Sequence, residues 1–308
     1  MGCFCGKEAM TVDDRKFYLK QRLGEGGFSY VDLVEESTTH KQFALKRILC
    51  HNEEEETIAL QEVEIMRAIN HPNVIPLECY CLHKVSYHSK AVDIACEVFL
   101  IAPLYKKGTL QNRIDTCKLR GETFSEDQIW KWMKGISEGL KALHDHCPPF
   151  AHRDLKPDNI MTKEDGTPVV MDLGSAAPSR IEIKTAREAT QLQDLAAERC
   201  SMLYRPPELF TVETNRSIDE RTDIWSLGCV LYALAYLESP FESAYQRGDS
   251  LALATMAGKL NFPLNSAYSQ ALQDCITWMI KPTLADRPFI NAVINRIAAL
   301  EHVGDNRV

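Results

Sequence analysis

The sequence predicts an α+β chain of two lobes, a small β-rich one followed by a larger helical one. Three observations carry this. The 308 residues exceed what one hydrophobic core usually serves. Up to residue 104, short alternating segments rich in β-branched and aromatic residues dominate. From residue 108 onward, apolar residues recur at helical spacing.

The elements follow in order. Residues 1–16 read as a leader outside the globular part, small and cysteine-rich at its start. Phe17 to Leu23 is the first strand and runs into a glycine cluster. Tyr30 to Val34 alternates in side-chain character and is the second, and Gln42 to Ile48 is the third. Asn52 is placed to cap a helix whose first turn holds Glu53 to Glu56. Anions there complement the positive end of the helix dipole, so this acidic run is structural rather than a binding site. Ile58, Leu60, Ile65, Met66 and Ile69 carry the helix on to His71-Pro72.

Val74 to Cys81 and Val98 to Leu104 read as two more strands. Ser125-Glu126-Asp127-Gln128 fits a capping box ahead of Ile129, Trp132, Met133 and Ile136. Leu227 to Leu237 is far shorter than the roughly 20 residues a membrane span needs, and reads as a buried core helix. Arg287-Pro288 opens the last helix, and residues 301–308 are a tail.

Composition is ordinary for a globular protein, with 45% apolar and 25% charged residues. A net charge of -8 argues against nucleic acid as the main partner. Eleven cysteines in a long chain with no secretory signal fit a reducing compartment better than a disulfide scaffold. Cys79 and Cys81 lack a second pair at zinc-ligand spacing and read as buried thiols.

The chemistry concentrates in His152-Arg153-Asp154-Leu155-Lys156-Pro157-Asp158-Asn159, followed by Asp172-Leu173-Gly174. Carboxylates, an ammonium and a carboxamide this close can hold magnesium, a phosphate tail and an attacking hydroxyl. Phosphoryl transfer asks a protein mainly for positioning and charge neutralisation. Gly24-Glu25-Gly26-Gly27-Phe28-Ser29 sits between two predicted strands. Glycines let a backbone approach phosphate oxygens, although a tight hairpin without a ligand has the same signature. Lys46, on the strand beside that loop, can reach a nucleotide phosphate; a solvated surface lysine is the alternative.

In order and spacing these segments resemble the protein kinases, as do Pro206-Pro207-Glu208 and Asp223-Ile224-Trp225-Ser226-Leu227-Gly228. The resemblance covers residues 17–300 and implies a bilobal kinase fold, with an N-lobe over 17–104 and a C-lobe over 108–300. It implies ATP and Mg2+ as cofactors, with Mn2+ as a substitute. Lys46 would hold the α- and β-phosphates and pair with Glu62, with Glu64 as the fallback. Asp154 would accept or orient the acceptor hydroxyl, and Lys156 would neutralise the moving phosphoryl group. Asn159 and Asp172 would hold the metal ions. Leu23, Gly24, Gly26 and Gly27 would cover the nucleotide, and Val31 and Ala44 would form the apolar ceiling over adenine.

The resemblance places the hinge at Ala102-Pro103-Leu104-Tyr105. There the Pro103 carbonyl would accept from adenine and the Tyr105 N–H would donate. Small Ala102 would admit bulky N6-substituted nucleotides. His152, Arg153, Glu208 and Asp223 are read as structural, with Glu208 paired to Arg287 and Asp223 capping the catalytic-loop backbone. Ser29 replaces the usual third glycine, which stiffens the loop tip, and Leu173 replaces the usual phenylalanine.

Lys156 and Ser201 resemble the serine/threonine-specific pattern. The stretch from Thr185 to Ala197 has helix-forming composition. A helix inside the activation segment resembles the Numb-associated kinases, and the chain resembles most closely an acylated member of that family. Thr185, Thr190 and Ser201 are candidate autophosphorylation sites. Met1-Gly2 permits myristoylation, although Gly6 stands where Ser or Thr is usual, and Cys3 and Cys5 could take palmitate.

The expected function is ATP-dependent phosphorylation of protein serine or threonine by a membrane-tethered kinase. The resemblance suggests the cytoplasmic face of the Golgi or another endomembrane, or the plasma membrane, with a cytosolic fraction. A catalytically weak kinase-fold scaffold, and a lipid or small-molecule kinase, are the alternatives. The oligomeric state is left open.

Overall fold

A computed structural model describes residues 9–26, 29–84 and 94–305, with side chains as far as residue 301. The chain forms a bilobal protein-kinase fold, and two compact units divide it. One holds the chain up to Asn70 together with Ile75–Tyr105, and the other holds His71–Val74 together with the chain from Lys106 onward. Gly27 of the glycine loop lies outside the described residues, as do Gly2, Cys3 and Cys5 of the leader.

The first unit is built on β1 (Ala9–Val12), β2 (Arg15–Glu25), β3 (Ser29–Glu36), β4 (Gln42–Cys50), β5 (Cys79–Lys84) and β6 (Cys96–Pro103). They form an antiparallel sheet in the order β1-β2-β3-β4-β6-β5. The pairing puts Val34, Phe43, Leu45 and Ile101 on one face, where they close a core with Phe17 and Val12. Because side chains alternate across a strand, the other face carries Val31, Ala44, Lys46 and Ala102. Val31 stands opposite Lys46, and Ala44 opposite Ala102.

Helix α1 (Glu53–Ala68) lies against β4 and β6. The Asn52 side chain accepts from the Glu55 N–H at 2.9 Å, as its capping role requires.

Three boundaries differ from the sequence reading. The leader is shorter than residues 1–16, because Ala9–Val12 pairs with β2 and buries Val12 completely. The strand expected over Val74 to Cys81 begins only at Cys79. Pro76 has no N–H to give a ladder, and Val74 bridges Val170 of the second unit instead. Residues 301–308 are not all tail, since the last helix runs to Asp305.

The second unit is mainly helical. Helices α2 (Leu110–Arg120) and α3 (Glu126–His144) come first, followed by the short strands β7 (Phe150–Ala151), β8 (Ile160–Thr162), β9 (Pro168–Val170), β10 (Ala177–Pro178) and β11 (Ile181–Ile183). Helices α4 (Ala186–Arg199) and α5 (Pro207–Phe210), strand β12 (Arg216–Ile218) and helices α6 (Arg221–Tyr236), α7 (Glu242–Gln246), α8 (Leu251–Ala257), α9 (Gln270–Met279) and α10 (Ile290–Asp305) complete it. Helix α6 is buried almost throughout, as an apolar run too short to span a membrane should be. No helix among the described residues is long and apolar enough to cross a membrane.

Ser125 caps α3 by accepting from the Gln128 N–H, but the reciprocal half of the expected box is missing. Glu126, the first residue of α3, accepts from Ser269 ahead of α9, at 2.6 Å from its hydroxyl and 2.8 Å from its N–H. Gly139 lets α3 approach the loop at Asn73, where an added Cβ would sit 2.6 Å from the Asn73 carbonyl oxygen.

Candidate active site

In the first unit, Lys46 Nζ donates to both carboxylate oxygens of Glu62, at 2.8 and 3.0 Å. Strand β4 presents Lys46 on the face opposite the core, and α1 turns Glu62 toward it. Glu62 is only 4% exposed, so its charge is supported by the ammonium rather than by water. Glu64, two residues on, faces solvent and pairs with Arg67 at 3.3 Å. The choice between the two glutamates is thereby made: Glu62 is the partner of Lys46.

Around this pair the sheet sets Val31, Ala44 and Ala102 on the face that carries Lys46. Leu23 is exposed at the end of β2, and Gly24 has open space where a Cβ would stand. The Gly26 N–H donates to the Ser29 carbonyl at 2.8 Å, which closes the loop. Pro103 ends β6, and Tyr105 follows it, half-buried.

In the second unit the turn after β7 gathers the remaining residues. The Asp154 carboxylate is held on three sides. The Ser201 N–H donates to its Oδ1 at 2.7 Å, Asn159 Nδ2 reaches its Oδ2 at 3.0 Å, and Lys156 Nζ lies 3.1 Å from that same oxygen. Lys156 also donates to Ser201 Oγ at 2.6 Å. Asn159 Nδ2 donates a second time to the Asp154 carbonyl at 2.9 Å, which leaves Oδ1 as the acceptor of that carboxamide. The Met171 N–H donates to the Asn159 carbonyl at 2.9 Å, so the backbone brings Asp172 beside Asn159. Asp172 itself has a left-handed backbone, at φ 60.

Asp223 holds this turn from within. Fully buried at the start of α6, it accepts from the His152 N–H at 2.7 Å and the Arg153 N–H at 2.9 Å, and lies 2.9 Å from His144 Nε2. Burial opposes its ionisation, but the bonds and charge from His144, His152 and Arg153 outweigh that and hold its carboxyl below the usual range. Arg153 donates to the Pro178 carbonyl at 2.9 Å, and burial lowers its pKa. Glu208 and Arg287 form a two-pronged ion pair with both contacts at 2.7 Å. The four residues read as structural therefore all sit in structural bonds.

One pair was missed by sequence reasoning. Ser175 donates to the Arg199 carbonyl at 2.9 Å, and the Arg199 guanidinium reaches the Gly174 carbonyl at 3.4 Å. Together they tie the C-terminal end of α4 to the segment after Asp172. Neither residue carries a motif signature, and only the path of the chain brings them together.

A divalent cation fits these donors. The Asn159 carboxamide oxygen and the Asp172 carboxylate are hard oxygen ligands on neighbouring backbone. Magnesium takes few protein ligands beside phosphate and water, so it needs no larger cluster. No group of three or more acidic, histidine or cysteine side chains suited to a metal occurs among the described residues. The described cysteines are free thiols, most of them buried. Burial pushes Cys79 to about 11 and Cys200 to about 12, which makes both poor nucleophiles.

Comparison with known proteins decides the family. The model of the protein kinase domain matches residues 17–297.

The chain is a protein kinase.

It is similar to serine/threonine-protein kinase 16 of Mus musculus, at 43% identity over 299 residues that cover 97% of this chain and 95% of that protein. The Homo sapiens protein of the same name is 42% identical over the same length. Serine/threonine-protein kinase ENV7 of Saccharomyces cerevisiae is 29% identical over 350 residues, covering 95% of this chain and 94% of its own. This kinase phosphorylates serine and threonine in proteins at the expense of ATP, and its domain type uses Mg2+ with the nucleotide.

Proposed function

We propose that the acceptor hydroxyl is oriented by Asp154 and that the transfer takes place at a membrane surface. The observation that carries the first part is the ring formed by Asp154, Lys156, Ser201 and Asn159. It leaves Asp154 anchored by donors on both oxygens and so fixes where a hydroxyl proton can be received. Lys156, held by Ser201, is an ammonium placed to neutralise charge on the phosphoryl group in transit. Lys46, steadied by Glu62, binds the α- and β-phosphates. Leu23, Gly24, Gly26 and Gly27 cover the nucleotide, and Val31 and Ala44 pack on its base. The Pro103 carbonyl and the Tyr105 N–H read the edge of the base. Asn159 and Asp172 supply the metal ligands; the metal, when bound, neutralises phosphate charge. Transfer of radiolabelled phosphate from ATP to a serine peptide tests this. Asp154→Ala should abolish transfer while nucleotide binding remains, and transfer by that variant at the native rate would overturn the assignment.

The membrane part rests on the first residues. Gly2 can carry a myristoyl chain, which alone binds a bilayer with K of order 10⁴ M⁻¹. That is too weak for stable anchoring, and palmitate on Cys3 and Cys5 supplies the second anchor. The secretory pathway, the Golgi above all, is proposed by resemblance to the acylated kinases. Autophosphorylation is proposed at Thr185, Thr190 or Ser201, of which Thr190 is exposed on α4 and Ser201 is engaged by Lys156. Fractionation of cells expressing the Gly2→Ala protein tests the anchor; a variant still on membranes would refute it.

A further inference from the structure

We infer that Ser175 and Arg199 are positioning residues for Asp172, keeping that carboxylate where a metal ion meets the nucleotide phosphates. The inference deepens the kinase reading above and rests on its assignment of Asp172 as a metal ligand. Asp172 has a left-handed backbone, at φ 60, which residues other than glycine seldom adopt. Such a conformation persists only where the surrounding chain fixes it. Before Asp172, the Met171 N–H donates to the Asn159 carbonyl at 2.9 Å, and the Met171 carbonyl lies 3.0 Å from His152 Nε2. After it, Leu173 is fully buried and starts a tight turn, closed by the Ala176 N–H donating to the Leu173 carbonyl at 3.0 Å.

That turn is gripped by the end of α4, within the second unit. The Ser175 hydroxyl donates to the Arg199 carbonyl at 2.9 Å, and the Arg199 guanidinium donates to the Gly174 carbonyl at 3.4 Å. Each segment gives one side chain and one carbonyl, so the two bonds close a reciprocal clasp. The Ser175 bond is its tighter half. The support behind it is firm. A helix leaves its last carbonyls without a partner of its own. In α4 the Arg199 carbonyl is served by Ser175, and those of Ala197 and Cys200 by the Arg205 guanidinium. Arg205 is buried, and Ala189, Ala196 and Cys200 root the helix in a core with Ile183, Leu209 and Ile218. The Arg199 side chain is mostly enclosed too, and it also pairs with Glu198 at 3.4 Å.

The position links the clasp to the reaction. Gly174 is two residues past Asp172, too close for one backbone to shift without the other. A carboxylate ligand serves a divalent ion only while its oxygens stay aimed at it. Groups that hold a ligand in place typically govern metal affinity by about ten- to a hundredfold. The clasp thereby gives α4 a task at the metal site, through its last turn and at a distance from any substrate contact.

The test uses the full-length kinase and reads binding of a non-hydrolysable ATP analogue by calorimetry as Mg2+ is raised in steps. In the double variant Ser175→Ala, Arg199→Ala, the Mg2+ needed for half-maximal tightening should rise about tenfold. Ser175→Ala alone removes one hydroxyl and should give most of that rise, so it reports even where the double variant is too unstable. Arg199→Lys keeps a cation for the Gly174 carbonyl and should change little. Adenosine has no phosphates and needs no metal, and should bind every variant as it binds the native kinase. A lower melting temperature with an unchanged Mg2+ requirement would overturn the inference, and so would an equal weakening of adenosine. Asp172→Asn tests the reading beneath. If it raises the Mg2+ requirement and the clasp variants do not, the clasp alone fails. If it does not, Asp172 is no metal ligand and both fall.

Discussion

Lys156 and Asp154 are joined through Ser201. The Lys156 ammonium donates to the Ser201 hydroxyl at 2.6 Å, and the Ser201 N–H donates to Asp154 at 2.7 Å. The activation segment thus reaches the catalytic turn with one residue that touches both charged groups. Only its hydroxyl depends on the side chain; the bond to Asp154 is made by the backbone and survives substitution.

Ser201→Ala should therefore take from Lys156 its hydroxyl partner, leaving it only the contact with Asp154 at 3.1 Å, while Asp154 keeps the backbone N–H. A hydrogen bond to a charged group contributes ~1.5–3 kcal/mol, so kcat should fall about ten- to a hundredfold. Ser201→Thr keeps the hydroxyl and should retain most activity. Steady-state kinetics on both variants check this, and equal rates for Ala and Thr would show that the Lys156 contact does not matter.

Arg287 buries its guanidinium against Glu208, and also donates to the carbonyls of Lys281, Pro282 and Arg221 at 2.7, 3.2 and 3.2 Å. It further stacks over Trp225, 5.1 Å from the ring centroid. Arg287→Lys cannot reproduce a planar fork, and Arg287→Ala takes this donor from the Glu208 carboxylate and from the Lys281 and Pro282 carbonyls. Both should destabilise the second unit, Arg287→Ala by about 3–5 kcal/mol. Urea unfolding followed by tryptophan fluorescence would read this.

Much of the site was legible before the structure because kinase chemistry sets residue types at fixed intervals. Glu62 could be singled out by its spacing to His71-Pro72, and the structure pairs it with Lys46 while Glu64 faces solvent. The helix over Thr185 to Ala197 was legible from composition alone, and Thr185 with Glu188 closes a capping box at its start. What escaped depends on long-range packing. Ala9–Val12 has too few residues to show alternation, and its strand character comes from pairing with β2. The Ser175–Arg199 clasp joins residues whose local sequence says nothing of each other.

Gly139 makes a prediction against helix propensity. Alanine is ordinarily the better residue within a helix, by ~1 kcal/mol. Here the new Cβ would meet the Asn73 carbonyl oxygen at 2.6 Å and Val170 Cγ2 at 3.2 Å. The Asn73 backbone cannot yield freely, since its carbonyl accepts from the Val170 N–H at 2.8 Å and its side chain donates to the Pro168 carbonyl at 2.8 Å. Gly139→Ala should lower stability by about 1–3 kcal/mol, the usual cost of overpacking. A melting temperature at or above the native one would contradict the close approach.

Asp223 gives the pH prediction. Its folded-state carboxyl is held below the ordinary value of 3.8, so the unfolded chain binds its proton first as pH falls. The stabilisation is complete above that ordinary value and is lost as pH drops through the lower folded value. Unfolding free energy should thus decline on acidification below about pH 4, where this group contributes to the slope. Asp223→Asn removes the titrating group and should flatten that part of the profile. It should also cost about 3–5 kcal/mol at neutral pH, because the His152 and Arg153 N–H groups and His144 lose a charged acceptor. Denaturant titrations of both proteins between pH 3 and 7 separate the two effects. If the acid slopes coincide, Asp223 does not hold its charge in the folded kinase, and the catalytic turn must be fixed by some other group.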